Sequence, residues 1–410
     1  VMSDNPASRL VHADDEIVDA EWIVSDASAH DLTTRQRRMS LAAVMIHMLG
    51  IGLTLGITFP LVSLTFASWG APDWQVGLSS AMAPLAVLLL MPFLPQVARK
   101  LGAIKAMFLG CAIGGLALLS MYLFPSVAVW IAARFVVGTG LALPWLVGDV
   151  WVNSVAKETS RGRVIAGYVI CLFAGFAAGP IMLETVGIEG FTPFGVALGA
   201  LGLAVIPFLF VAKHAPTIDV HENSGIWSAA KTAPAIAVAA FAAGFTEACI
   251  FALLPNWGLA TGLAETAALR LLTVCVIGGI IIQLCLGALA DVVDRTLGLA
   301  VIGLCLFGLS FSMHFAVGSL VYIFAFGIGG FVLTLYGLSL TLLGQVFRRD
   351  ELAMASAAFL ILYQIGSATG PVTTGAAMDV IGAEAFLAVL AASGLVVFTS
   401  AILTWAKANQ

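Results

Sequence analysis

Four side chains of permanent charge lie inside long apolar runs of the sequence: Arg134, Glu184, Glu247 and Arg270. Glu184 and Arg270 fall within about three residues of the end of a run, where a long side chain bends its charged tip back to water. Arg134 and Glu247 have no such exit. A charge at that depth in hydrocarbon costs at least about 2.5 kcal/mol, so it faces a bundle interior or a watery cavity and marks a solute or ion path. A carboxylate there binds and releases a proton, and a guanidinium attracts a carboxylate-bearing solute. Glu247 is therefore the expected proton carrier and Arg134 the expected attractor of a small anionic solute. The structural alternative is a fixed Arg134–Glu247 ion pair, or an Arg134 that only anchors backbone.

Uncharged polar side chains in the same runs are candidates to complete a site: His47, Thr54, Tyr168, Asn256, Gln283, Tyr336, Tyr363 and Gln364. Each also reads as an ordinary hydrogen bond between helices. Asp149, in Asp149-Val-Trp151-Val-Asn153 at the end of a run, is the expected partner of Arg99, Arg161 or Arg163 in a gate that exists only when the inner mouth is closed, with Asp291 and Arg348 or Arg349 as the equivalent later in the chain; a solvated helix end is the alternative. Met45, His47 and Met48, with Met313 beside His314, raise soft-metal transport, since thioether and imidazole suit Cu(I). The sequence has no MxxxM or HxxxM pair, so core methionines are the expected reading and no metal site is assigned. The six cysteines lie in apolar runs without a CxxC pair and read as buried small side chains. No zincin, Ser-His-Asp, P-loop or Rossmann signature appears in a suitable context, so neither an enzyme nor a cofactor is expected.

Positioning these residues falls to the apolar runs themselves. Of 410 residues 60% are hydrophobic and 10% charged, and the mean hydropathy is +1.04. Soluble domains carry about 25% charged residues, so a water-soluble protein, a nucleic-acid binder and a disordered chain are excluded. Twelve runs lie near 40–66, 76–97, 106–124, 127–148, 164–186, 191–212, 233–257, 268–290, 296–315, 318–343, 354–378 and 385–406. At 1.5 Å per residue about 20 residues cross the roughly 30 Å of hydrocarbon. Lipid offers no partners to backbone N–H and C=O groups, so these spans are predicted to be helices.

With the N-terminus in the cytoplasm, all of the 18 Lys and Arg residues except Arg134 and Arg270 fall in cytoplasmic segments, the positive-inside pattern for an even number of spans. Residues 1–38 hold an acidic run followed by Arg35, Arg37 and Arg38, and read as a disordered cytoplasmic tail without a cleavable signal. Shifting the sequence by about 191 residues lays Gly175-Phe-Ala-Ala-Gly179-Pro180 over Gly366-Ser-Ala-Thr-Gly370-Pro371. The chain thus reads as two six-helix bundles, 39–212 and 233–410, joined by a polar linker at 213–232. Glycines four apart line one helix face and let a neighbouring backbone approach.

Three motifs in order, Arg134-Phe-Val-Val-Gly138-Thr-Gly140, Arg161-Gly162-Arg163 and Gly287-Ala-Leu-Ala-Asp291, resemble elements of the major facilitator superfamily of secondary transporters. Near Pro95 to Lys105 the first-half copy of the last motif departs from the pattern, with Pro95 for its Gly and Arg99 for its Asp. The resemblance implies an all-α integral membrane protein of twelve transmembrane helices in two pseudo-symmetric bundles. It implies alternating access, with helices one, four, seven and ten lining the cavity. The expectation is a proton-coupled transporter of a small organic solute, monomeric, in the cell inner membrane, with both termini cytoplasmic. A non-transporting assembly factor or receptor on the same scaffold is the other class considered.

Overall fold

The long apolar runs form helices because a helix satisfies its own backbone, and their ends fall where sequence punctuation stops them. The computed structural model describes residues 32–157, 160–216, 232–289 and 294–408. The spans are α1 (Thr34–Ser68), α2 (Asp73–Leu90), α3 (Ala103–Leu123), α4 (Val127–Val155), α5 (Arg161–Val186), α6 (Thr192–Val205), α7 (Pro234–Ala260), α8 (Glu265–Leu289), α9 (Arg295–Met313), α10 (Leu320–Val346), α11 (Arg349–Ile381) and α12 (Ala385–Ala408). Eleven described helices are long and apolar enough to cross a membrane, α6 counting with its continuation to His214. The twelfth, α11, is 33 residues long but carries Ser356, Gln364, Ser367, Thr369, Thr373 and Thr374, which dilute its hydropathy.

Three boundaries differ from the sequence reading. The second run breaks at Met91–Phe93, around Pro92, and the separate short helix Leu94–Leu101 follows, carrying Arg99 and Lys100 in its last turn. Helix α1 begins inside the supposed tail, where Thr33 and Gln36 form a capping box. Helix α4 continues through Val155, so Asp149 lies within it and not at its end. Most of the acidic tail, most of the 213–232 linker and Asp291 lie outside the described residues.

Packing repeats between the halves. Helix α1 lies on α5 as α7 lies on α11, α2 on α4 as α8 on α10, α3 on α4 as α9 on α10, and α1 on α6 as α7 on α12. The glycine repeat is the physical reason for the first match. A Cβ on Gly175 would sit 2.2 Å from the Leu49 carbonyl oxygen of α1, and one on Gly366 would sit 2.1 Å from that of Phe241 of α7. Only a residue without a side chain allows such backbone contact.

An even number of spans puts the start of α1 and the end of α12 on one face, here called the terminal face, and the α1–α2 turn on the opposite, distal face. The halves meet through α2 against α11, α5 against α8, and α1 against α7. The side-chain hydrogen bonds that cross these seams lie toward the distal face.

Candidate functional site

Layers of side chains stack between the halves. Glu247, at the midpoint of α7, has the Tyr363 hydroxyl of α11 as its hydrogen-bond partner. The Tyr363 ring meets Tyr336 of α10 edge-on, 5.1 Å between centroids, and Tyr336 packs on Phe359 at 5.3 Å. In the other half, Asp149 of α4 accepts a hydrogen bond from the Tyr168 hydroxyl of α5 at 2.9 Å and another from the Trp145 indole N–H one turn earlier. Tyr336 lies within electrostatic reach of both carboxylates, so acids from the two halves act on one tyrosine.

One turn beyond Glu247 the polar layer ends in aromatic rings. Phe251 of α7 stacks on Phe176 of α5 at 4.2 Å and tilts against Phe59 of α1 at 6.1 Å. Arg134 belongs to this apolar layer. Its guanidinium carbon lies 4.4 Å from the centroid of the Phe59 ring, a cation–π contact, and its Nη1 donates to Thr58 Oγ1 at 3.3 Å. The residue is 1% exposed, and its Nε and Nη2 have no hydrogen-bond partner among the described residues. Among those residues Arg134 and Glu247 form no ion pair, which removes the fixed pair weighed from sequence.

A hydrogen-bonded layer closes the distal side. The Ser63 hydroxyl of α1 donates to Asn256 Oδ1 of α7 at 2.7 Å, and Asn256 Nδ2 donates to Asp73 Oδ1 of α2 at 2.8 Å. The backbone N–H groups of Asp73 and Trp74 donate to the two oxygens of Asp379, on α11, at 2.8 and 2.9 Å. At the other seam Arg270 of α8 pairs with Glu184 of α5 through both its Nε and its Nη2.

The remaining predicted residues go elsewhere. His47 is fully buried, with Nδ1 2.8 Å from the Ala204 carbonyl of α6 and Nε2 3.0 Å from the Pro144 carbonyl of α4. Thr54 bonds back to the Gly50 carbonyl of its own helix at 2.9 Å. Gln283 and Gln364 are half-buried and make no hydrogen bond among the described residues. The gate contacts of Asp149, expected only with the inner mouth closed, are absent from this distally closed arrangement: Tyr168 and Trp145 hold its carboxylate, Arg161 reaches the Asn153 carbonyl at 3.4 Å, and Arg99 and Arg163 are exposed. The Arg348 backbone N–H donates to Glu351 Oε2 at 3.4 Å at the start of α11, and its expected gate partner Asp291 lies outside the described residues. The soft-metal grouping does not assemble either. Met45 sulfur faces Cys171 at 3.9 Å, both His47 nitrogens face carbonyls, and His314 lies 2.6 Å from Glu384. No group of three or more His, Cys, Asp or Glu suited to a metal occurs among the described residues.

Sequence reasoning missed Trp145, Ser63, Asp73 and Asp379, and it treated Glu184 and Arg270 as independent. The signal was present in part: acids near the distal ends of two helices that meet in the repeat geometry, α2 and α11.

Comparison with known proteins agrees with this architecture. A family model described as Major Facilitator Superfamily matches residues 236–409. YfkF of Bacillus subtilis (strain 168), described as an uncharacterized MFS-type transporter, is 28% identical over 336 residues, 79% of this chain and 85% of its own length. Among solved structures, a mutant of the nucleoside transporter NupG aligns with a TM-score of 0.72 at 14% identity, covering 89% of this chain and 99% of that one. The human organic anion transporter MFSD10 (TETRAN) aligns with a TM-score of 0.64 at 14% identity over the same shares of the two chains.

Proposed function

We propose that this chain, which a major facilitator superfamily model matches over residues 236–409 and which resembles MFS-type transporters over most of its length, is a proton-coupled secondary transporter of a small organic solute. It works by alternating access as a monomer in the cell inner membrane, with the terminal face toward the cytoplasm. The observation that carries the reading is Glu247, a carboxylate at the midpoint of α7, facing the other half of the site through Tyr363 and Tyr336 and lacking a basic partner among the described residues. An ionised carboxylate sealed into that layer costs several kcal/mol, and taking up a proton removes the cost. Proton binding therefore tracks whether the layer is open to water or closed, which is the requirement for coupling.

The same layer bears on the solute. Two carboxylates, three tyrosines and a tryptophan offer hydrogen-bond acceptors and aromatic faces, which suit a neutral solute rich in N–H or O–H groups or a cationic one. An anionic solute has less support than the sequence suggested, because Arg134 is packed behind Phe59 at 1% exposure. The fold neighbours are named for a nucleoside and for organic anions, so the fold alone does not choose between these classes. A thermal-shift panel of nucleosides, polyols, amines and carboxylates on purified protein tests the reading. Stabilisation by neutral or amine members, followed by their uptake into proteoliposomes under a proton gradient, is expected. Stabilisation and uptake confined to carboxylates would reverse the solute assignment.

A further inference from the structure

We propose that Asp379 is the latch of the distal gate: a helix cap that the C-terminal half supplies to α2 of the N-terminal half, so that the distal face opens only when the cap breaks. The first turn of any α-helix leaves N–H groups without an intrahelical acceptor. Helix α2 cannot meet that need itself, because its N-cap is Pro72, which makes no side-chain capping bond. The Asp73 and Trp74 amides are met instead by the two oxygens of Asp379, from a helix more than 300 positions away in the chain. A carboxylate in this place is favoured twice, by charge-assisted hydrogen bonds and by the positive end of the α2 dipole.

The cap heads a chain of contacts that alternates between the halves. Asp379 of α11 holds α2, Asp73 of α2 holds Asn256 of α7, and Asn256 holds Ser63 of α1. Backbone contact fixes its register: a Cβ on Gly77 of α2 would lie 2.1 Å from the Pro371 carbonyl oxygen, and one on Gly375 of α11 would lie 2.4 Å from that of Asp73. Parting the distal ends of α2 and α11 therefore breaks both bonds to Asp379 together, and the α2 amides pass to water. Losing a helix cap shifts such an equilibrium by on the order of tenfold. A recess of about 500 Å³, lined by Asp73, Asn256, Glu265 and Asp379 among others, lies over the latch. Water in this recess is at hand to take over the α2 amides when the cap breaks.

The latch rests on the alternating-access reading but on neither the solute nor the proton. It is tested on the full chain in nanodiscs by hydrogen exchange of segment 73–77, together with a spin-label distance between Trp69→Cys and Ile381→Cys, two exposed positions on opposite halves, in a background carrying Cys285→Ser. Asp379→Ala is expected to speed exchange of the segment roughly tenfold and to enlarge a longer-distance population by a similar factor. Asp379→Asn, which keeps one acceptor oxygen, falls between Ala and the parent, and it carries the test should the Ala variant fail to fold. Glu184→Gln, at the other seam, leaves exchange of 73–77 unchanged. Unchanged exchange in the Asp379 variants overturns the proposal. So does faster exchange with no gain in the longer distance, since the cap would then be structural only.

Discussion

His47 shows how much a single side chain holds together in this bundle. Its two ring nitrogens lie against carbonyls of α6 and α4, and its ring meets Phe208 edge-on at 5.4 Å. A neutral imidazole donates from one nitrogen only, so the second carbonyl receives a proton only from the imidazolium form. Truncation strands buried acceptors and leaves a cavity: His47→Ala is expected to cost about 2–4 kcal/mol, read as a lowered unfolding midpoint in detergent. Arg134 is held in a similarly dry setting by Thr58 and Phe59, and Phe59→Leu, which removes the ring face, is expected to destabilise the protein by about 1 kcal/mol or more. At this scale the sequence made the individual residues legible and their partners illegible. Glu247, Tyr363, Tyr336, Asp149 and Tyr168 stand out as polar groups in apolar runs. That Asp149 takes Tyr168 and Trp145, and not an arginine, depends on α4 running on to Val155 and on helix rotations that one sequence does not encode. Trp145 gave no signal at all, since a tryptophan in an apolar span is unremarkable until its N–H finds a carboxylate.

Among the helices, glycines divide contacts that build each half from contacts that join the halves. Gly179 of α5 belongs to the first kind: a Cβ there would lie 2.2 Å from the Gly56 carbonyl carbon of α1. Gly179→Val is therefore expected to wedge α5 off α1 and lower stability by about 1–3 kcal/mol, with poor recovery of folded protein as the readout. Gly77 belongs to the second kind, because its close neighbour is Pro371 of the other half. Gly77→Val is expected to leave each bundle folded and to favour the distal-open arrangement, seen as a longer Trp69–Ile381 spin-label distance. The repeat of Gly-x-x-x-Gly-Pro in α5 and α11 was legible, and it serves helix packing: both helices run through Pro180 and Pro371 without a break. Charge sorting and run length also placed the spans to within a few residues at most ends. What escaped was punctuation by a single Pro92 and the extra turns of α4, where apolar and polar residues mix.

For the whole molecule, two matching bundles meet in a seam that is tight on the distal side, where hydrogen bonds, the Arg270–Glu184 pair and the Phe59–Phe176–Phe251 plug lie in succession. The acid and tyrosine layer sits below that plug, in the proposed path from the terminal face. Because an exposed ion pair contributes little, Glu184→Gln is expected to change transport far less than Asp379→Ala. Glu247 is the group on which the coupling claim turns. The most direct measurement is uptake into proteoliposomes, with and without an imposed proton gradient, of the solute that most stabilises the protein, comparing the parent with Glu247→Gln. The account predicts that the variant still folds and exchanges solute down its gradient but loses the proton-driven accumulation. Accumulation in Glu247→Gln that still follows the proton gradient as in the parent would contradict it.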